Sequence, residues 1–280
     1  MKFSNKLLVL SILLLFIFGI SSTGVAFDNL DVDKSLETSD YIGNVPYEEG
    51  VNAEIIQLGN NDEAEIIQEG FNYAHVGQGI DESLGGVLGF SQYNEADIIQ
   101  DGYLNEGEVN QRGENNKSLV WQIEGSQFNY AGIGQHGDNM FADLFQVGDH
   151  NFARSSQFGG EGSWAYVIQF GDYNYNRTIQ QGYNHDVEVH QGDYFGDETS
   201  DYNYSFVDQS GESQDAYVWQ LGAENATNIE QDGSFNYAKT YQDGELNEAL
   251  IDQNADGMSA LITQIGDNNT GSITQTGGGM

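Results

Sequence analysis

Apolar and polar residues alternate along most of the chain in a pattern that returns about every eleven residues. With Gln as the anchor there are 19 units, and 13 of the 18 intervals between anchors are eleven residues. Ile, Val or Leu stands two before the anchor in 16 units, Ala four before it in 12, Asn six before it in 12, and Gly two after it in 15. Such self-similarity indicates one structural unit repeated along the chain.

The consensus Asn-x-Ala-x-Ile-x-Gln-x-Gly predicts a β-strand in every unit. Its positions differ by two, so in an extended strand Asn, Ala, Ile and Gln project from one face, whereas a helix would spread them around its circumference. The Gly after the anchor tolerates positive φ where the chain reverses. We expect a strand of about seven residues closed by a turn of about four.

The predicted fold class is all-β: an amyloid-like parallel β-solenoid with two strands per ~22-residue coil and about ten coils. Successive coils stack about 4.8 Å apart. Inward Gln and Asn amides then lie above identical amides, so each can donate to one neighbour and accept from the other. An unsatisfied buried amide would cost about 1–3 kcal/mol, so we interpret these residues as a structural ladder.

The predicted ladder residues are Gln57, Gln68, Gln100, Gln111, Gln146, Gln157, Gln180, Gln220, Gln231, Gln242, Gln253, Gln264, Gln275, Asn72, Asn129, Asn151, Asn236 and Asn247. The predicted turn glycines are Gly59, Gly70, Gly102, Gly148, Gly222, Gly233, Gly244 and Gly266. Aromatic residues recur five before the anchor, on the outer side, and are expected to stack from coil to coil.

The N-terminal region separates from the repeats. Residues 1–26 carry two Lys, an apolar run and small residues before a cleavage site after Ala26, which is typical of a secretory signal peptide. A signal-anchor is the alternative. Residues 27–50 hold no repeat and are interpreted as a flexible leader, and residues 51–280 as the repeat solenoid.

Irregular intervals predict local departures from the stack. The interval of 22 residues between Gln78 and Gln100 suggests a unit near Gly89 that has lost its Gln. The interval of 18 between Gln191 and Gln209 suggests a longer loop between coils.

Charge and Cys content narrow the function classes. The chain has 8 Lys and Arg, 44 Asp and Glu, and no Cys. Removing the signal peptide leaves six basic residues and a formal charge of −38. Such a chain repels nucleic acid and anionic membranes, so we expect neither nucleic-acid binding nor membrane insertion. Outward acids at one-coil spacing repel each other by about 0.9 kcal/mol per pair. This repulsion should slow the association of chains into larger assemblies, and low pH, salt or divalent cations should speed it.

Candidate chemistry is sparse. The five His residues occupy unlike columns, and neither a Ser-His-Asp arrangement nor metal-ligand spacing emerges. We therefore predict no catalytic, cofactor-binding or metal-binding residues. A calcium-binding solenoid is an alternative. Its Gly-Gly-x-Gly-x-Asp repeat is absent, and only residues 159–162 resemble it in part.

The repeat resembles that of curlin, the subunit of curli functional amyloid, whose pattern is Ser-x5-Gln-x-Gly-x2-Asn-x-Ala-x3-Gln. Gln68-x-Gly70 matches part of it. Gln231-x-Gly233-x2-Asn236-x-Ala238-x3-Gln242 matches it position for position, and so does Gln242-x-Gly244-x2-Asn247-x-Ala249-x3-Gln253. The pattern's Ser is mostly missing here.

The resemblance covers residues 51 to about 277. It implies a secreted fimbrial subunit that polymerises through its end strands into extracellular fibres, supporting biofilm cohesion and cell adhesion. It also implies export through a dedicated outer-membrane pore and leaves open a separate nucleator subunit. A monomeric acidic adhesin or matrix protein that does not polymerise is the alternative.

Overall fold

Strands and the arcs between them make up the described part of the chain. A computed structural model describes residues 52–57, 61–81, 87–88, 91–192 and 201–277, all within one compact unit, Asp40–Met280. The predicted signal peptide and leader lie outside the described residues. No helix in the described part is long and apolar enough to cross a membrane.

The described strands are β1 (Asn52–Gln57), β2 (Glu63–Gln78), β3 (Ile80–Asp81), β4 (Val87–Leu88), β5 (Ser91–Gln92), β6 (Glu95–Glu114), β7 (Lys117–Gln127), β8 (Tyr130–Asp138), β9 (Phe141–Val147), β10 (Phe152–Glu161), β11 (Trp164–Phe170), β12 (Tyr175–Tyr183), β13 (Asp186–Gln191), β14 (Tyr204–Glu212), β15 (Asp215–Leu221), β16 (Ala226–Ser234), β17 (Tyr237–Asp243), β18 (Glu248–Asn254), β19 (Ser259–Ile265) and β20 (Thr270–Thr276).

The chain alternates between two parallel sheets that face each other. Sheet A consists of β1, the second halves of β2 and β6, and the even-numbered strands from β8 to β20. Sheet B consists of the first halves of β2 and β6 and the odd-numbered strands from β7 to β19. When the halves of β2 and β6 are counted separately, each strand segment of the stack pairs with the segment two positions along, so two segments make one coil. The predicted parallel β-solenoid is confirmed.

Strand register follows the anchors. In sheet A, Gln209 aligns with Gln231, Gln231 with Gln253 and Gln253 with Gln275. The inward Ala and branched aliphatic residues form one continuous buried core between the sheets. Burial alternates along most strands; in β11, for example, Ala165, Val167 and Gln169 are buried and their neighbours are not. One eleven-residue unit is thus one strand plus one arc.

The prediction of a lost unit near Gly89 is wrong. Gln78 lies in sheet A and Gln100 in sheet B, so these two anchors belong to consecutive strands of the stack. A lost unit between them would have placed Gln100 in sheet A. The extra residues instead leave the stack as an excursion that includes the antiparallel pair β3–β4; Gly89 itself lies outside the described residues. The described stack therefore holds nineteen strand segments, or nine and a half coils.

The predicted loop between Gln191 and Gln209 falls largely on residues 193–200, outside the described residues. On either side of it the stack is continuous, because Tyr175 aligns with Tyr204 and Asp186 with Asp215. The register of both sheets is therefore kept across this insertion.

The arcs require left-handed backbone at two places. Gly two after the anchor has positive φ, as at Gly211 with φ 129°. Four residues after the anchor, non-Gly residues also adopt positive φ, such as Tyr173 at 59° and Leu246 at 58°. Hydrogen bonds between coils hold this conformation: Tyr173 N donates to Asp149 O at 2.9 Å. The backbone ladder thus continues through the arcs.

Replacing an arc glycine should destabilise the fold. In Gly211→Ala the new Cβ would overlap the carbonyl oxygen of Gly233 in the next coil, at a φ that Ala rarely adopts. We expect the free energy of unfolding to fall by about 2 kcal/mol or more, measured by urea denaturation. The control is Gly134→Ala, where a Cβ meets no atom within 4 Å and the change should be neutral or slightly stabilising. Equal denaturation midpoints for the two variants would contradict this account of the arcs.

Candidate assembly interface

All nineteen Gln anchors form two continuous and directional ladders, one in each sheet. They comprise the thirteen predicted ladder Gln residues and six further anchors, Gln78, Gln122, Gln135, Gln169, Gln191 and Gln209. Along sheet A, Nε2 of each anchor donates to Oε1 of the next: Gln57, Gln78, Gln111, Gln135, Gln157, Gln180, Gln209, Gln231, Gln253, Gln275. Along sheet B the order is Gln68, Gln100, Gln122, Gln146, Gln169, Gln191, Gln220, Gln242, Gln264. Every bond runs from an N-terminal coil to a C-terminal one.

The same Gln amides also tie the two sheets together. Gln242 Nε2 donates to Ala226 O in the preceding strand at 3.0 Å, and Gln253 Nε2 donates to Tyr237 O at 3.1 Å. In both cases the acceptor lies five residues before the anchor of the preceding strand. Both amide hydrogens are used, so a fully buried Gln is satisfied without water.

The predicted Asn residues are placed differently, because they stand where each arc enters a strand. Their Oδ1 atoms accept from backbone N–H groups of the next coil, as when Asn174 N donates to Asn151 Oδ1 at 2.9 Å. Four of them donate through Nδ2 to backbone carbonyls, as when Asn151 Nδ2 donates to Gly171 O at 2.7 Å. Asn247 Nδ2 instead donates to Asn225 Oδ1 at 3.0 Å, which is the amide-to-amide contact that the sequence predicts. Asn72, Asn129, Asn236 and Asn247 likewise accept from a backbone N–H one coil on. These amides therefore support the arcs.

The predicted turn glycines lie in the arcs. Positive φ is found at Gly70, Gly102, Gly148, Gly222, Gly233, Gly244 and Gly266, while Gly59 lies outside the described residues. A further arc residue escaped the sequence analysis: the Asp three after the anchor. Asp149 N donates to Asp172 Oδ1 at 2.7 Å, and Glu245 N donates to Asp267 Oδ1 at 3.0 Å. The recurring Gly-Asp pair in the turns was the available signal.

Aromatic side chains stack on the outer surface in two neighbouring columns. The expected column five before the anchor has ring centroids 4.8–5.1 Å apart through Tyr130, Phe152, Tyr175 and Tyr204. A second column, seven before the anchor, was not anticipated. Its centroids are 4.6–4.9 Å apart through Phe128, His150, Tyr173 and Tyr202. The residues of this second column all have positive φ, and stacking of their rings stabilises that conformation.

The outward strand residues at the C-terminal edge of the described stack are uncharged. The outward side chains of β19 and β20 are Ser259, Leu261, Thr263, Ile265, Thr270, Ser272, Thr274 and Thr276, and all are exposed. Gln264 and Gln275 keep their carbonyl bonds to the preceding strand, to Glu248 O and Ser259 O. Their second Nε2 hydrogen points along the ladder, beyond the last strand of the described stack. Donors thus face out of this end, and Oε1 acceptors face out of the other.

The N-terminal coils carry acid ladders. Glu63 aligns with Glu95, and Glu65 with Asp97. Burial, together with the charges of Glu95 and Glu65, raises the pKa of Asp97 to about 7, although Lys117 opposes the shift. Farther along the stack, in β13, burial together with the charges of Asp215 and Glu188 raises the pKa of Asp186 to about 6. Ionisation of these carboxyl groups therefore works against the folded state.

In the described part of the chain, no three His, Cys, Asp or Glu residues are arranged so that they could hold a metal ion. The family model of the curlin associated repeat matches residues 203–233 and 236–266. The resemblance to the curlin repeat is confirmed over these two segments, which run from β14 to β19. No curated protein matches the chain significantly. The curlin repeat and the solenoid are structural building blocks.

Breaking one rung of the Gln ladder should destabilise the whole stack. Gln220→Leu would leave the Gln191 amide, Gln242 Oε1 and Tyr204 O without their bonds at 2.9, 3.0 and 2.8 Å. We expect a loss of about 2–4 kcal/mol in unfolding free energy. Gln181→Leu, at an exposed position of β12, is the control and should change stability little. Equal effects of the two substitutions would show that the ladder contributes nothing.

Removing the charge of Asp97 should stabilise the protein at neutral and alkaline pH. Its folded-state pKa of about 7 lies above its ordinary value of 3.8, so its ionisation costs stability as pH rises between these values and the full cost remains above pH 7. We expect Asp97→Asn to raise the Tm by a few degrees at pH 8, with little effect at pH 4. Asp232→Asn, which removes the same charge from an exposed position, is the matched control. A gain for Asp97→Asn that is independent of pH would contradict the assignment.

Proposed function

We propose that this chain, which carries two matches to the curlin associated repeat, is a secreted structural subunit. It assembles head-to-tail into curli-like extracellular amyloid fibres on the cell surface. The fibres serve the biofilm matrix and cell adhesion. The observation that carries the proposal is the directional Gln ladder, which has hydrogen-bond donors at one open end and acceptors at the other.

The two ends are complementary in backbone as well as in side chains. An unpaired parallel strand offers a row of N–H and C=O groups to another strand. Adding a second copy at one end regenerates the same end, so the contact is heterologous and does not close. Growth of a filament follows from this geometry without any new interface.

Charge favours contact between unlike ends. The outward side chains of β19 and β20 are uncharged, whereas Glu54, Glu63 and Glu65 project from the N-terminal coil. A head-to-tail junction therefore places acids beside neutral residues. The acid-on-acid contacts found between β2 and β6 are not repeated there.

Export and seeding partners belong to the proposal. The resemblance supports passage through an outer-membrane pore and leaves room for a nucleator subunit. The chain acts without catalysis in this scheme, and its contribution to adhesion comes from the exposed aromatic columns and the fibre itself.

The direct test is incubation of purified residues 27–280 near neutral pH, followed by thioflavin fluorescence and X-ray fibre diffraction. Fibres with a meridional reflection near 4.8 Å, seeded by their own fragments, are expected. A β-rich protein that stays monomeric would overturn the proposal. It would favour the stand-alone adhesive solenoid.

Blocking the C-terminal edge should slow assembly without unfolding the subunit. Ile273→Lys places a charge at an inward position of the last strand, where the side chain would face an incoming copy. We expect the thioflavin lag time to lengthen by more than tenfold. Thr274→Lys adds the same charge at the adjacent, outward and exposed position and should assemble nearly as the unsubstituted chain does. Circular dichroism of the monomers verifies folding; equal lag times would contradict the assigned edge.

A further inference from the structure

The smallest repeating unit of this solenoid is the eleven-residue unit, which is half a coil. The hydrogen bond from each Gln amide to the preceding strand shows this, because it is the same in both sheets. Gln231 in sheet A donates to Asp215 O in sheet B, and Gln242 in sheet B donates to Ala226 O in sheet A. Both acceptors lie five residues before an anchor. Each strand thus relates to the previous one by half a turn about the long axis and a rise of about 2.4 Å, half the spacing of strands in one sheet.

The number of strand segments in the described stack is odd. β1 and β20 both lie in sheet A, and nineteen segments alternate between the sheets from one to the other. After β20, the next position along this screw belongs to sheet B. A continuing stack therefore has to place its next strand on β19.

We propose, on the basis of the fibre put forward above, that each added copy is rotated half a turn about the fibre axis relative to the one before it. β1 of the incoming copy pairs with β19, and the first half of its β2 pairs with β20. Sheet A of one subunit continues as sheet B of the next. The partner is a second copy of this chain, and the interacting surface is the edge formed by β19 and β20.

This junction extends the hydrogen-bonding pattern without interruption. Gln264 Nε2 would donate to Gln57 Oε1 of the incoming copy, and Gln275 Nε2 to its Gln68. Each anchor from Gln78 to Gln275 donates to a carbonyl of the preceding strand. The rotated arrangement gives Gln57 the corresponding acceptor, Thr270 O.

The buried columns also match across the rotated junction. Ala260 and Ile262 of β19 would lie under Ala53 and Ile55 of β1. On the other side, Ile273 of β20 would lie under Ile66 of β2. The two sheets share one consensus, so exchanging them at the junction brings like residues together.

An unrotated junction would break both patterns. With β1 placed on β20 in sheet A, sheet B would pass from β19 to the first half of β2 across about 9.6 Å, two strand spacings. One strand would be missing from sheet B. Gln57 would then face a gap where its carbonyl acceptor should lie.

The rotation changes which surface successive subunits present on a given side of the fibre. Successive subunits present the aromatic columns of sheet A on opposite sides of the filament. Two subunits, or nineteen coils, form one axial repeat of about 91 Å. An unrotated fibre would instead repeat with every subunit, at about 48 Å.

Engineered Cys pairs distinguish the two arrangements, since the chain has no Cys of its own. In the rotated junction Ile56 of one copy lies beside Thr263 of the next; in the unrotated junction it lies beside Thr274. Parallel neighbours have Cα atoms about 4.8 Å apart, within the range of a disulfide. Fibres of I56C/T263C and I56C/T274C would be oxidised mildly and analysed on denaturing gels. The two positions lie at opposite ends of one subunit, so monomers provide the uncross-linked control.

We expect I56C/T263C fibres to yield a ladder of covalent multimers and I56C/T274C fibres to yield few. Cross-linking of the T274C pair instead would overturn the rotation while leaving fibre formation intact, and would require a twentieth strand in sheet B. Fibres in which neither pair reacts would equally reject this junction. Electron microscopy of unsubstituted fibres gives an independent readout through the axial repeat. Absence of unsubstituted fibres would overturn the proposed function itself.

Discussion

The buried Gln amide is the group on which the rest of the structure depends. It has to donate twice and accept once inside a dry core, and it does so only if an identical amide lies one strand spacing above and another below. Gln220 meets this condition through Gln191 and Gln242. A register shift of one residue would turn the whole inward set outward. The amides therefore fix the register of every strand, and this register is kept on either side of the inserted residues.

Most of the fold could be predicted from the sequence, because the key residues of the repeat are two positions apart. Inward Ala, Ile and Gln identify the strands, and their recurrence identifies the parallel stack. The distance between two Gln anchors could not show whether a repeat unit had lost its Gln or whether extra residues were inserted between two strands. Gln78 and Gln100 are 22 residues apart, yet they occupy consecutive strands. That distinction depends on which sheet Gln100 joins, and so on pairing between distant segments.

Arc chemistry was less predictable for a different reason. Positive φ at Tyr173 runs against the preference of a bulky residue. The strain is offset by the bond from Tyr173 N to the preceding coil and by ring stacking on His150 and Tyr202. Local propensity therefore gives the wrong expectation at this position. The Asn column raised a similar difficulty: its amides face inward as expected, but mainly serve backbone groups of the arcs.

Repetition also determines the electrostatics and the ends. Each side chain contacts its equivalent in the next coil, so its interaction is repeated along the stack. Glu65 beside Asp97 therefore repels, in the same way that Gln beside Gln attracts. Such acid columns occur in the N-terminal coils and again through Asp208, Glu230 and Asp252, whereas the outward strand residues of β19 and β20 are neutral. A fold whose stability comes from equivalent neighbours leaves its end strands with unpaired groups. The subunit therefore reaches the fully bonded state of its own interior only when another copy extends it, so the interaction that orders the monomer is also the one that would build the fibre.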